Sequence, residues 1–250
     1  MKLVVLVKQV PDTSAKVSIK SDGSDVDQES ISLVTNPYDE YAIEEAARIK
    51  KANAGSTITI ISLGGDKAAD VIRNAIALGG DEGIHIKNQG KLDAIAVAQV
   101  LAKVVGEIKP DIILCGKVAV DDGWGAIPPM LAEYLDMPHI TAVKKLTLNG
   151  NAITAEKDFL TASAKVESPL PCIVTCEKGL NEPRYASLME VMKAKKKELK
   201  IIDIDSLGIP NVRVQNLEPI KLNYPPERPA GRVLQGELAD QIKELIGIIK

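Results

Sequence analysis

Short apolar runs recur along the first two thirds of the chain, at residues 3–7, 57–63, 83–86 and 112–115. The unbroken runs at 3–7 and 112–115 read as strands buried on both faces, the setting of a parallel sheet. Between them lie stretches with apolar residues at helical spacing. Ala42, Ile43, Ala46, Ala47 and Ile49 mark the first; Ala68, Val71, Ile72, Ala75 and Ile76 the second; residues 92–105 the third; Met130, Leu131, Tyr134 and Leu135 the fourth. Asn36 is placed to cap the first helix with Pro37 at its first position, Gly79-Gly80 stops the second, and Pro128-Pro129 opens the fourth. Four successive strand–helix units predict an α/β fold with a doubly wound, mostly parallel sheet.

After Pro138 the period changes to two. Residues 140–148, 152–158 and 160–166 alternate, with Asn149-Gly150-Asn151 as the turn, so an antiparallel hairpin extension is expected beside the parallel sheet. Residues 172–176 return as one more apolar strand. Near the start, residues 16–20 and 30–34 flank a turn-forming 21–25 stretch and predict a small edge hairpin. At the far end, a Pro-rich linker precedes residues 233–249, where Leu238, Ile242, Leu245 and Ile249 have helical spacing. Residues 1–223 are therefore expected to form the α/β unit and 224–250 a linker and helical arm.

The carboxyl ends of strands in such a sheet are where ligands settle, against backbone N–H groups of the following helices. The loops after residues 7, 63 and 115 and the helix start at Asn36 are expected to converge there. Net charge is −3, which supplies no field for nucleic acid, and aromatics are 3% of the chain, too few for a base-stacking platform. An aromatic ligand must be held by backbone and aliphatic contacts. Cys115, Cys172 and Cys176 lack paired spacing and read as buried reduced thiols. His85 and His139 have no carboxylate or cysteine pattern near them and read as structural. Neither a G-x-G-x-x-G nor a G-K-[ST] phosphate loop is present. The N-terminal apolar run is too short for a signal peptide or a membrane span, so no membrane insertion and a cytoplasmic setting are expected.

The stretch Leu180-Asn181-Glu182-Pro183-Arg184-Tyr185-Ala186-Ser187-Leu188, continued by Met189-Glu190-Val191-Met192-Lys193-Ala194-Lys195-Lys196-Lys197, resembles the signature region of electron transfer flavoprotein beta subunits. Lys8-Gln9-Val10-Pro11-Asp12, Asn36-Pro37-Tyr38-Asp39, Gly116-Lys117 with Asp121-Asp122, and the 225–231 stretch resemble that family in the same order. The resemblance implies a heterodimer with an alpha subunit that carries a redox FAD, moving electrons between a flavoprotein dehydrogenase and an acceptor. The crevice of the beta subunit then binds AMP in simple carriers and a second FAD in electron-bifurcating members. The run from Lys8 to Thr13 resembles the anaerobic bifurcating branch, which implies NAD(H), ferredoxin and a partner dehydrogenase of the acyl-CoA or hydroxy-acid (lactate) class.

By position, the implied nucleotide contacts are Leu6, Lys8, Asn36, Pro37, Tyr38, Asp39, Leu63, Gly116, Lys117, Val120, Asp121, Asp122, Gly123, Trp124, Gly125, Ala126 and Ile127. The implied partner contacts are Arg184, Tyr185, Leu188, Met189, Met192, Lys193 and Lys195, with Leu188 on an exposed recognition loop, and the C-terminal arm wraps the alpha subunit. One departure stands out. Where the family has polar side chains to grip phosphate, this chain has Gly125-Ala126-Ile127 after its only tryptophan, leaving the backbone N–H groups as donors. Trp124 itself reads first as a packing or interface residue. No catalytic acid, base or nucleophile is implied, since the redox chemistry belongs to flavin. The alternative of a different class is a stand-alone adenine-nucleotide sensor or hydrolase of the same fold, which would need neither the arm nor the Leu188 loop.

Overall fold

The computed structural model describes residues 1–27, 31–210, 212 and 221–249. Its centre is β1 (Lys2–Leu6), paired in parallel with β4 (Thr57–Gly64) on one side and β6 (Ile112–Gly116) on the other. Beyond β4 lie β5 (Glu82–Lys87) and β11 (Lys200–Asp203); beyond β6 lie β10 (Cys172–Cys176) and β7 (His139–Asn149), all in parallel pairs. Antiparallel β8 (Ala152–Asp158) and β9 (Ser163–Pro169) complete a nine-stranded sheet. The expected doubly wound, mostly parallel sheet with an antiparallel extension is therefore present.

Strand residues alternate between two cores. Leu3, Val5, Ile58, Ile60, Ile112 and Leu114 pack with the apolar faces of α1 (Pro37–Ala52) and α2 (Ala68–Ala77). Val4, Leu6, Ile61 and Ile113 pack with α3 (Ala94–Ile108) and α4 (Ile127–Leu135). Burial on both faces is why β1 and β6 read as unbroken apolar runs rather than alternating ones. Winding reverses between β1 and β6, and a crevice opens beyond the carboxyl ends of strands at such a point.

Several expected elements differ. The stretch after Val7 is not a plain loop: β2 (Gln9–Pro11) pairs antiparallel with β3 (Leu33–Thr35). The expected pairing of 16–20 with 30–34 is thus replaced, and Ile19 instead bridges Val26. Local alternation overlapped β3 alone, and 16–20 holds only the Ile19 bridge, because the pairing was set by where the chain leaves β1 and enters α1. β9 begins at Ser163 rather than 160, because Asp158 pairs with Ser163 and Phe159–Ala162 close the turn. β11 was missed: its Ile201-Ile202 pair is short, and at the sheet edge it carries little of the burial signal. The C-terminal helix α6 (Leu238–Ile249) starts five residues later than its apolar pattern, after Gly236 at φ +102°. The expected shift to a linker and arm after residue 223 meets a segment without regular structure over 221–237, then α6, none of whose residues is buried.

Candidate functional site

Asn36 stands at the cap position of α1, as expected, but its side chain does not cap the helix. Its Nδ2 donates to Asp39 Oδ1 (3.0 Å) and Val118 O (3.0 Å), while Oδ1 accepts from Val120 N (3.2 Å). Asp39 in turn accepts from Lys8 N (2.7 Å) and Gly116 N (2.9 Å). Two short side chains thus fasten the end of β1, the start of α1 and the loop after β6 to one another. Gly116 is required in this node, since a Cβ there would stand 2.5 Å from Asp39 Oδ1 and 2.7 Å from Tyr38 Cβ.

Burial pushes the Asp39 carboxyl up to about 7, against the opposing pull of Asn36 and the Lys8 and Gly116 N–H groups. An acid raised on folding makes the folded state bind more protons than the unfolded between pH 3.8 and about 7. Stability is therefore greatest at the acidic end of that window and falls as pH rises through it. Denaturant midpoints are expected to be higher at pH 5 than at pH 8. A midpoint that rises between those values would show that Asp39 is not so shifted.

The loop from Lys117 to Ala126 is shaped by its own polar groups. Lys8 Nζ bridges Asp121 (2.8 Å) and Asp122 (2.6 Å), Gly123 N donates to Ala119 O (3.0 Å), and Trp124 N donates to Asp122 Oδ1 (3.0 Å). Gly125 then takes φ +58° and Ala126 φ −90°, ψ −24°. A left-handed residue followed by a right-handed one turns successive N–H groups to a common point, an anion-binding concavity. The N–H groups of Gly125, Ala126 and Ile127 have no acceptor among the described residues, and Pro128 and Pro129 have none to offer. The departure from polar side chains in this loop thus leaves a donor set made of backbone.

A cavity of about 790 Å³ lies over the strand ends. Of the expected nucleotide contacts, Leu6, Lys8, Asn36, Asp39, Leu63, Gly116 and Lys117 line it, as do Asp121, Asp122, Trp124, Gly125 and Ile127. Trp124 is 46% exposed at its rim. Pro37, Tyr38, Val120, Gly123 and Ala126 do not line it; Tyr38 lies beneath Lys117, whose Nζ is 4.9 Å from the ring centre and 2.5 Å from Glu177. Sequence reasoning missed two walls, the 88–92 loop after β5 and the inner side of the 20–27 turn. The first was findable, because β5 is another parallel strand whose carboxyl end points the same way. Most lining cations are already paired: Lys8 as above, Lys117 with Glu177, and Lys91 with Asp25 at 3.2 Å. Lys20 lines the cavity too; among the described residues it makes no ion pair, and its charge acts on the Asp22 carboxyl.

The remaining candidates for chemistry are inert. The three cysteines are free and buried; burial raises the Cys115 and Cys176 thiols far above their usual range and Cys172 to about 12. His85 is buried with Nε2 3.2 and 3.1 Å from the Gly64 and Gly65 carbonyl oxygens, steadying the turn after β4. Among the described residues there is no group of metal-ligating side chains, and no helix long and apolar enough to cross a membrane.

The expected partner residues lie elsewhere. Leu188 is not on a loop but is the first residue of α5 (Leu188–Lys195), entered through a capping box between Ser187 and Glu190. Only Ala194 of this helix is buried, and Tyr185 (99% exposed), Leu188 (84%), Met189 and Met192 form an apolar patch in water, with Lys193 and Lys195 beside it. Arg184 is turned the other way. Its Nε lies 3.2 Å from Glu44 Oε2 and its guanidinium donates to Leu78 O, while Asn181 Nδ2 donates to Tyr41 O (2.9 Å) and Glu45 (3.0 Å). These contacts pin the segment before α5 onto α1.

Residues 26–207 match the model of the electron transfer flavoprotein domain family. The chain is 40% identical over 254 residues to the electron transfer flavoprotein subunit beta of Bacillus subtilis, covering 100% of this chain and 98% of that protein. It is 37% identical to the Bradyrhizobium diazoefficiens subunit beta over 100% of both chains, and 35% identical to that of Bos taurus over 98% of both. Likeness of this degree along the whole length, on a fold whose strand ends carry the cavity described above, places the chain in the electron transfer flavoprotein beta-subunit family.

Proposed function

We propose that this chain, paired with an alpha subunit, holds FAD in the cavity with its diphosphate on the Gly125–Ile127 N–H groups. One observation supports the reading: the Gly125, Ala126 and Ile127 N–H groups have no acceptor among the described residues, and Gly125 and Ile127 line a cavity that runs across the ends of β6, β1, β4 and β5. Three strand spacings are about 14 Å. A cavity of that length and of about 790 Å³ has room for a dinucleotide. The carbonyl of Val118 and the aliphatic faces of Leu6, Leu63 and Ile127 suit the remainder of such a ligand, which agrees with the scarcity of aromatic side chains. Lys20 adds a cation to the lining.

When bound, flavin supplies the electron-accepting chemistry. The side chains of this chain bind and orient it: Asn36 and Asp39 hold the loops in register, and Lys8 offsets the two carboxylates of the 121–122 pair next to the phosphate position. With a second flavin here the complex works by bifurcation, with NAD(H) and ferredoxin as exchange partners, and takes part with a dehydrogenase of the acyl-CoA or hydroxy-acid class. The Tyr185, Leu188, Met189 and Met192 patch serves as the anchor for that dehydrogenase, with Lys193 and Lys195 drawing in an acidic surface. The segment from 224 onward, ending in a helix with none of its residues buried, is the arm that the alpha subunit covers; a stand-alone sensor would leave that apolar face in water.

The test is to co-purify the chain with its alpha subunit, release bound nucleotide with acid and quantify it. Two FAD and no AMP per heterodimer are expected; one FAD with one AMP would remove flavin from this subunit. A second measurement probes the donor set. Replacing Gly125 with alanine forces a Cβ into a left-handed conformation at a cost of about 1–2 kcal/mol, while the nearest non-neighbouring atom, Lys117 O, stays 3.5 Å away. Nucleotide affinity is expected to fall roughly tenfold with little other change, and an unchanged affinity would show that the phosphate sits elsewhere.

A further inference from the structure

The cavity wall formed by residues 18–27 is a small hairpin with little packing of its own. Lys20 N donates to Asp25 O (2.9 Å), Asp27 N to Ser18 O (2.8 Å), and Ile19 bridges Val26. Lys20, Asp25, Val26 and Asp27 line the cavity, yet Gly23 is the hairpin's single buried residue among those described. What holds the hairpin against the sheet comes from outside it. Lys91 Nζ donates to Ser24 O (3.1 Å) and pairs with Asp25.

The second tie comes from 200 residues away in the chain. Leu222 N donates to Gly23 O (2.9 Å), and the Tyr224 hydroxyl oxygen accepts from Ile19 N (2.8 Å). The Lys221 side chain lies flat on Gly23, where a Cβ would meet its Cε at 2.6 Å and its Cγ at 2.7 Å. Gly23 also takes φ +73°, so this close crossing needs glycine twice over. Tyr224 does not line the cavity itself. We infer that residues 221–224 are a strap across the nucleotide-site hairpin, and that Tyr224 is a positioning residue which slows nucleotide release by holding that wall shut. The inference rests on the cavity being the nucleotide site. An N–H···O bond to a tyrosine hydroxyl at the foot of the hairpin is the part of the strap that a single oxygen atom removes.

The experiment uses the complex of the full chain with its alpha subunit, wild type and Tyr224→Phe, with AMP and FAD as separate probes. Dissociation rates are measured by displacement, association rates by stopped flow and folding by thermal unfolding. In Tyr224→Phe the dissociation rate of the nucleotide that wild type holds is expected to rise roughly two- to tenfold, the effect of one lost neutral hydrogen bond. The association rate and melting temperature are expected to stay the same, because the ring remains and only one hydrogen bond is removed. An unchanged dissociation rate would overturn the strap while leaving the site intact. A lowered melting temperature with proportionate loss of both rates would overturn the positioning role in favour of a merely structural one. A wild-type complex that binds neither AMP nor FAD would overturn the site, and the strap with it.

Discussion

Replacing Asp39 with alanine is expected to destabilise the chain by about 2–4 kcal/mol at pH 5, because it orphans three N–H donors around one carboxyl. Among the described residues, Lys8 N and Gly116 N are backbone donors with no other acceptor, and Asn36 Nδ2 keeps only Val118 O. The loss also leaves the backbone of the β6 loop held to the start of α1 through Asn36 and no longer through Asp39, so nucleotide binding should fall with it. The difference between wild type and variant is expected to narrow at pH 8. There the wild-type carboxylate bears its burial cost, whereas alanine has no charge to desolvate. Asp39→Asn should lie between the two: its Oδ1 still accepts from Asn36 and Gly116, but its amide faces Lys8 N, where the wild-type oxygen accepts at 2.7 Å. Urea unfolding of the three proteins at both pH values decides it. A gap that is equal at pH 5 and pH 8 would mean that the carboxyl is ionised throughout, and a loss below 1 kcal/mol would mean that water replaces its bonds.

Gly116→Ala is the second large effect. The added methyl would stand 2.5 Å from Asp39 Oδ1, 2.7 Å from Tyr38 Cβ and 2.9 Å from the Tyr38 carbonyl carbon. None of these is a flexible tip. Asp39 is held by its donors, and Tyr38 is backbone and Cβ in the first turn of α1. Relief requires α1 to move off β6, against a packed core, at about 1–3 kcal/mol or more. Because the displaced atom is the same Asp39 oxygen, the two substitutions share a mechanism, and combined losses are expected to be smaller than their sum. Additive losses would show that the glycine and the carboxyl act separately. Nucleotide content should drop in Gly116→Ala even where the protein remains folded, since Asn36 and Gly125 lie on the two segments that are pushed apart.

Much of this was legible in the chain itself. The strands at 3–7, 57–63, 112–115 and 172–176 and the four helices between and after them are strong local signals, because burial on both faces or on one stripe leaves a periodic record. The rim of loops that forms the cavity followed from the rule that parallel strands present their carboxyl ends together, and twelve of the proposed nucleotide contacts line it. Family membership was legible from the order of short motifs along the whole length.

Other features depend on atoms distant in sequence. Nothing in the local pattern told that the Asn36 side chain would leave the α1 N–H groups uncapped and hold Asp39, Val118 and Val120, or that Arg184 would reach Glu44 and Leu78. The pairing of residues 9–11 with 33–35, the short edge strand β11 and the crossing of Lys221 over Gly23 are likewise matters of register and approach. Hydrophobic periodicity reports which face of an element is buried. Which donor meets which acceptor across 80 or 200 residues is decided only when packing brings the elements together, and there the nucleotide site acquires its shape.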